Sequence, residues 1–262
     1  MNTRPARSSP AFAFFRTKRH HTYLYVSYHK CATLFTARVV RAVCAAQGLR
    51  TATFDSRHRK VGRLALRSND FLLLTDYSSS MLDLNTVDGR GFHVIRDPRD
   101  ILVSMYFSHR DSHRVNHAEI RRNRRKLAKL DLLGGLTYLM EESRFFQRIM
   151  RELAAWDYDT ERFYETSFER LTTDPEKEFE AIFTFLGILV EQSDLNTIIQ
   201  QNSFETLKAD WRARNPGTDI NHYRSGVAGD WKNHLAGEPK TVFRQRYGDL
   251  LIKLGYEKSM NW

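Results

Sequence analysis

The run Phe71-Leu72-Leu73-Leu74-Thr75, closed off by Asn69-Asp70 before it and Asp76 after it, limits the fold of this chain more than any other segment. A strand with apolar side chains on both faces needs cover on both sides, the setting of a parallel sheet enclosed by helices. Further β-prone runs, Tyr23–Ser27, Thr51–Phe54, Phe92–Ile95 and a short final Arg162–Tyr164, alternate with helix-length segments. From Thr33 to Gln47 the apolar residues Leu34, Ala37, Val40 and Val43 recur at helical spacing, and Gly48 suits a stop. Asp97-Pro98 opens a helix to about Ser108, and Asp174-Pro175 opens one that ends near Gly187. In each the aspartate can cap and the proline fits the first helical position, while Asp100 suits the first turn. Leu136–Trp156 reads as one long helix, and Lys240–Leu254 as the last. The alternation predicts an α/β fold in three layers, a central, mostly parallel sheet flanked by helices.

With 262 residues, 41% of them hydrophobic and 17 of them Phe, one large domain can bury its own core. Residues 1–19 carry Arg4, Arg7, Arg16, Lys18 and Arg19 around a short apolar run, Ala11–Phe15. That run is too short for a secretory signal, and no later stretch reaches the length of a membrane span. The expectation is a flexible basic tail over 1–19, a single domain over 20–262, and a cytoplasmic protein. Cys31 and Cys44, the two cysteines, read as part of one helical stretch about 20 Å apart, too far to bridge. A net charge of +10 calls for anionic partners, among them nucleotide phosphates, nucleic acid, acidic polymers and membrane surfaces.

Tyr25-Val26-Ser27-Tyr28-His29-Lys30-Cys31-Ala32-Thr33 passes from the end of a strand into the start of a helix. Backbone N–H groups and the positive end of the helix dipole converge at such a junction, where an anion is stabilised. Lys30 adds a mobile charge and Thr33 a hydroxyl. The segment lacks the glycines of a Walker A loop. On these residues alone, Lys30 is either an anion ligand or a solvated charge. In Val94–Tyr106, Arg96 stands at a strand's C-terminal end, the edge at which open α/β sheets bind ligands. Ser104 follows about two helical turns later. Either Arg96 pairs with a nearby carboxylate and Ser104 fills space, or the two bind a phosphate as fork donor and hydroxyl donor.

A third segment, His222-Tyr223-Arg224-Ser225-Gly226-Val227-Ala228-Gly229-Asp230-Trp231-Lys232-Asn233-His234, sets two glycines between Arg224 and Lys232. Glycine lets backbone approach a ligand closely. This segment resembles the Arg-x-Gly-x-x-Gly-Asp-Trp-Lys-Asn-His signature of sulfotransferases that use 3′-phosphoadenosine 5′-phosphosulfate (PAPS). Val94–Tyr106 resembles their 3′-phosphate motif and Ser27–Phe35 their 5′-phosphosulfate loop, all in the family's order. The resemblance implies a P-loop-NTPase-like sulfotransferase fold. It also implies in-line transfer of a sulfuryl group from PAPS to an acceptor hydroxyl or amine, leaving 3′,5′-adenosine bisphosphate (PAP). By that resemblance Lys30 contacts the 5′-phosphate and bridging oxygen, with His29, Cys31, Ala32, Thr33 and Leu34 forming the rest of the phosphosulfate loop. Phe35 lies against adenine. Arg96 and Ser104 bind the 3′-phosphate with Arg224, Ser225 and Gly226. Tyr164 holds adenine, and Asn202-Ser203-Phe204 packs beside it.

Two positions depart from the family pattern: Leu34 stands where a second threonine is usual, and Ser225 where a lysine is common. Cytosolic members draw the acceptor proton with a histidine in a Lys-Thr-His stretch, and the matching stretch here is Leu74-Thr75-Asp76. Asp76 is therefore the expected base, with His29 and His109 as rivals, and Lys30, Asp76 and Ser104 form the expected catalytic set. No metal is expected. Among the ten histidines, His20-His21 fall in the tail, and His109 and His113, four apart, lie in basic surroundings that disfavour a cation.

Between Arg110 and Lys129 stand Arg114, Arg121, Arg122, Arg124, Arg125 and Lys126, opposed by Asp111 and Glu119. Such a run is a solvated helix face, a mobile loop or a guide for an anionic acceptor. The expected partner is a small-molecule, lipid or glycan acceptor, with a homodimer left open. A P-loop kinase would need a Walker A sequence, and a nucleic-acid-binding domain would leave three separate phosphate motifs without a use.

Overall fold

The computed structural model describes residues 22–58, 60–113, 115, 118–214, 216 and 225–262. The expected tail, Arg114 and Arg224 lie outside them. The strands are β1 (Thr22–Ser27), β2 (Thr51–Phe54), β3 (Phe71–Leu74), β4 (Gly89–Ile95) and β5 (Phe163–Ser167), ordered β2-β3-β1-β4-β5. All four pairings are parallel, with Tyr25 in register with Leu73 on one side and Phe92 on the other. Every residue of β3 and all but one of β1 are buried, so helices must cover both faces of the centre. β2 at the edge is only half-buried.

The helices are α1 (Thr33–Ala46), α2 (Arg63–Ser68), α3 (Pro98–Phe107), α4 (Ala118–Leu127), α5 (Leu132–Glu142), α6 (Arg144–Ala155), α7 (Phe168–Thr173), α8 (Pro175–Leu186), α9 (Gln192–Gln201), α10 (Phe204–Arg214) and α11 (Gly237–Lys253). Both Asp-Pro starts hold: Asp97 accepts from the Arg99 N–H at 2.9 Å, and Asp174 from the Lys177 N–H at 3.2 Å. Gly187 ends α8 at φ 72°, in the left-handed region that glycine enters without strain. Past α3 the chain widens into one π-helical turn, Ser108–Ser112, which carries His109 and leads directly to His113.

Two expectations need correction. The long helix over 136–156 is two helices, because Ser143 is extended (φ −78°, ψ 105°) and turns the chain between α5 and α6. Its hydroxyl accepts from Asn123 Nδ2 at 3.1 Å, a bond to a neighbouring helix that replaces helical continuity. The final strand continues to Ser167 because Gly91–Ile95 of β4 pairs with its whole length.

Candidate functional site

At the C-terminal edge of the sheet, the turn between β1 and α1 bends sharply. Lys30 and Ala32 both have positive φ, 71° and 53°, a conformation costly for residues other than glycine. Bonds to Tyr28 hold the turn: its carbonyl accepts from the Cys31 N–H at 3.2 Å and from the Thr33 hydroxyl at 3.0 Å. Arg96 Nη1 also donates to the Lys30 carbonyl, at 3.0 Å. The turn opens into a cavity of about 1180 Å³. Ala32, the N-cap of α1, offers no side-chain acceptor, so the first-turn amides of the helix face a cavity that Thr33, Leu34 and Phe35 line. The Thr33 hydroxyl donates to Tyr28, which leaves its backbone amide rather than its hydroxyl proton as what it can give an anion.

Arg96 reaches the same cavity from the end of β4 and is 6% exposed. Its guanidinium lies 3.8 Å over the Phe168 ring and 3.8 Å from Asp100 Oδ2. Ser104 lines the cavity from the second turn of α3. Asp100, on the helical turn between them, is buried and accepts from the backbone N–H groups of Gly229 (2.7 Å) and Trp231 (2.8 Å). Burial raises its carboxyl above the usual carboxylate range, against the opposing charge of Arg96. Sequence reasoning missed this tie, although the Asp-Pro-Arg-Asp stretch and the Gly-Asp-Trp stretch were both in view. Arg99 adds a second one, lying 3.8 Å over the Trp231 ring while ion-paired to Asp97 at 2.8 Å.

Ser225 and Gly226 close the cavity beside Ser203 and Phe204. Gly226 is at φ 68°, and a Cβ there would come within 2.7 Å of the Phe204 ring, so only glycine lets the ring rest on this backbone. His29, Lys30 and Asp76 line the cavity too. Residues expected together from four distant segments thus share one cavity.

Three expected residues stand differently. Cys31 is fully buried in the core, where burial pushes its thiol up to about 12. Cys44 is also buried and free; Cys31 precedes α1 rather than lying in it. Tyr164 does not line the cavity: its ring packs against Phe185 and its hydroxyl accepts from Arg170 at 2.8 Å. Asp76 is 5% exposed, and both its oxygens accept from Arg148 Nη2, at 3.0 and 3.1 Å. Burial raises the Asp76 carboxyl and Arg148 opposes that rise, so a guanidinium competes for the lone pairs that a base would use.

A second group of side chains comes together at the same cavity. The rings of His29, His109 and His113 lie 5.1–5.6 Å apart. Phe145 stands edge-on to His29 at 5.0 Å and to His109 at 5.6 Å. The basic stretch folds as α4, with Ile120 against the cavity. Arg121, Arg122, Arg125 and Lys126 are exposed, but Asn123 is buried and Arg124 turns inward to the His109 and His113 carbonyls. Among the described residues no group of three or more His, Cys, Asp or Glu is arranged to hold a metal ion, and no helix is long and apolar enough to cross a membrane.

The sequence model of the family described as "Sulfotransferase domain" matches residues 90–255. Human "Sulfotransferase 2A1" is 26% identical over 174 residues, 60% of this chain and 56% of that protein. The "3-beta-hydroxysteroid sulfotransferase" of Cavia porcellus is 28% identical over 162 residues, 59% of this chain and 53% of its own. The chain thus spans little more than half the length of these relatives. Among solved structures it is similar to mouse sulfotransferase SULT7A1 complexed with PAP, with a TM-score of 0.69 at 18% identity over 91% of this chain and 88% of that one. Retinol dehydratase in complex with androsterone and inactive cofactor PAP gives a TM-score of 0.58 at 15% identity, covering 89% of this chain and 81% of that one.

Proposed function

The chain belongs to the sulfotransferase domain family, and from that premise we propose that it moves the sulfuryl group of PAPS onto a hydroxyl or amine of a small acceptor. The observation that carries the reading is the meeting of Lys30, Arg96, Ser104 and Gly226 at one cavity edged by the open N-terminus of α1. Two strong cations, a hydroxyl and a set of helix amides suit a nucleotide with phosphates at both ends. Lys30 and the α1 amides take the 5′ end. Arg96 and Ser104, with Ser225, Gly226 and Arg224, take the 3′-phosphate, and Phe35 and Phe204 flank the adenine. The neighbours crystallised with PAP support the choice of donor.

In-line transfer needs positioning and charge stabilisation more than covalent help from the protein. Lys30 meets the charge that grows on the leaving 5′-phosphate, and the α1 amides stabilise the transferred oxygens. The acceptor is an alcohol or amine small enough to share the cavity. A hydroxysteroid is the first to try, given the activity in a relative's name. Exposed arginines on α4 would favour an anionic acceptor at low salt.

Titration calorimetry with PAP, magnesium-ATP and a DNA duplex tests the reading. Metal-independent binding of PAP, well above binding of the other two, is the expected result. Preference for magnesium-ATP would favour phosphoryl transfer, and preference for the duplex a nucleic-acid-binding role.

A further inference from the structure

The geometry points to His29, backed by His109 and His113, as the group that takes the acceptor's proton, a role resting on the donor site proposed above. Three observations converge. His29 is the chain neighbour of Lys30, both on a turn whose backbone is held at each end, so the imidazole and the leaving-group lysine enter the cavity from adjacent positions. His29 and His113 both line that cavity, whereas His109 is fully buried behind them. The three rings lie 5.1–5.6 Å apart in tilted and edge-on contact, so the cluster holds the His29 ring by packing.

The network behind the cluster assigns a tautomer. Glu119 Oε1 is an acceptor, so the Ser143 hydroxyl donates to it, at 3.4 Å. Ser143 Oγ then accepts from Asn123 Nδ2 at 3.1 Å, and the same amide NH2 faces His109 Nδ1, also at 3.1 Å. The Tyr138 hydroxyl donates to Asn123 Oδ1 at 3.0 Å and fixes the amide the same way round. His109 Nδ1 must therefore carry a lone pair, and its proton sits on Nε2. A neutral imidazole of set tautomer behind His29 packs against it at 5.3 Å and, with Phe145 edge-on at 5.0 Å, holds the ring in place. Arg124 holds the π-helical turn by donating to the His109 carbonyl at 3.1 Å and to that of His113.

The charged groups around the cluster come from each element packed on it. Lys30 follows His29. Arg110, paired with Asp111 at 2.9 Å, lies on the π-helical turn. Arg124 and Glu119 come from α4, and Arg148 of α6, paired with Asp76, lies 4.9 Å over the Phe145 ring. In the reaction the acceptor O–H bond breaks as its proton passes to the His29 ring nitrogen. The acceptor oxygen bonds to sulfur, the bridging S–O bond breaks, and its electron pair leaves on the 5′-phosphate of PAP. The imidazolium then gives its proton to solvent in the cavity, which His113 also lines.

The test uses the whole chain saturated with PAP. Nitrogen-15 spectra of the histidine rings should find His109 neutral with its proton on Nε2, and His29 passing from imidazolium to neutral between about pH 5 and 8. A His29 ring that stays in one protonation state from pH 5 to 9, or a His109 proton on Nδ1, overturns the assignment. In parallel, His29→Gln and His113→Gln are assayed for transfer of labelled sulfate from PAPS to 2-naphthol. His29→Gln should lower kcat by about 10²–10⁴ and flatten its acidic limb, with PAP affinity within threefold of the parent. His113→Gln should cost under tenfold. Unchanged kcat in His29→Gln sinks this role alone, whereas failure of the parent to bind PAP sinks the donor site beneath it. If His29→Gln does not fold or 2-naphthol is not accepted, the spectra of the parent decide.

Discussion

Arg96 Nη1 donates to the backbone carbonyl of Lys30 at 3.0 Å, fastening the end of β4 to the turn after β1. The cation expected at one end of the nucleotide thus fixes the backbone that carries the cation expected at the other.

Lys30→Ala should therefore remove leaving-group stabilisation without disturbing the turn, since the Arg96 bond is to the main chain. Turnover is expected to fall by about 10²–10³, the usual scale for one oxyanion-type donor, with an unchanged circular dichroism spectrum. Parent-like turnover in a sulfate-transfer assay would remove Lys30 from the chemistry.

Asp76→Asn separates the two possible bases. With Arg148 already engaging both carboxylate oxygens, the substitution should cost about 1–3 kcal/mol, since the Arg148 side chain is 21% exposed and water offsets part of the lost pairing. Turnover per folded molecule should stay within threefold. A hundredfold loss of turnover at unchanged melting temperature would return the proton to Asp76.

Asp100→Asn places an amide donor where the Gly229 and Trp231 N–H groups both need an acceptor, a conflict worth about 1–3 kcal/mol. PAP affinity should drop about tenfold as residues 225–231 loosen over the cavity. Burial raises the Asp100 carboxyl, so the folded chain binds that proton more readily than the unfolded one. Its contribution is full below the ordinary carboxylate range and declines as pH rises through the folded value. Urea melts from pH 4 to 7.5 should show the stability gap between parent and variant narrowing with rising pH.

Gly226→Ala forces a side chain into the left-handed region and against the Phe204 ring. PAP binding, measured by calorimetry, should weaken by about 1–3 kcal/mol while α10 and the sheet persist. An alanine variant with parent affinity would show that the ring does not flank the base.

Elements whose instructions are local were legible. The unbroken apolar run of β3 announced a covered parallel strand, and both Asp-Pro pairs marked helix starts that the structure repeats. The break at Ser143 was not legible, because apolar residues continue on either side of it, from Leu136 and Met140 to Phe146 and Ile149, and the serine's partner lies on α4. Tyr164 was carried to the adenine by its motif alone. In β5 neighbouring side chains face opposite sides, and its hydroxyl meets Arg170 instead. The imidazole cluster gave one local sign, the four-residue spacing of His109 and His113. Its third ring comes from another strand's end, and nothing near His29 in the sequence points to that meeting.

The bonds from Asp100 to Gly229 and Trp231 also bear on how this protein is assembled and kept. They make the cavity a joint between the chain's middle and its later portion, one that neither segment can form alone. A molecule gripped at both phosphates would rivet that joint shut. Heat resistance should then keep climbing with the logarithm of nucleotide concentration once the site is saturated, and a protease should digest the chain more slowly when PAP is present.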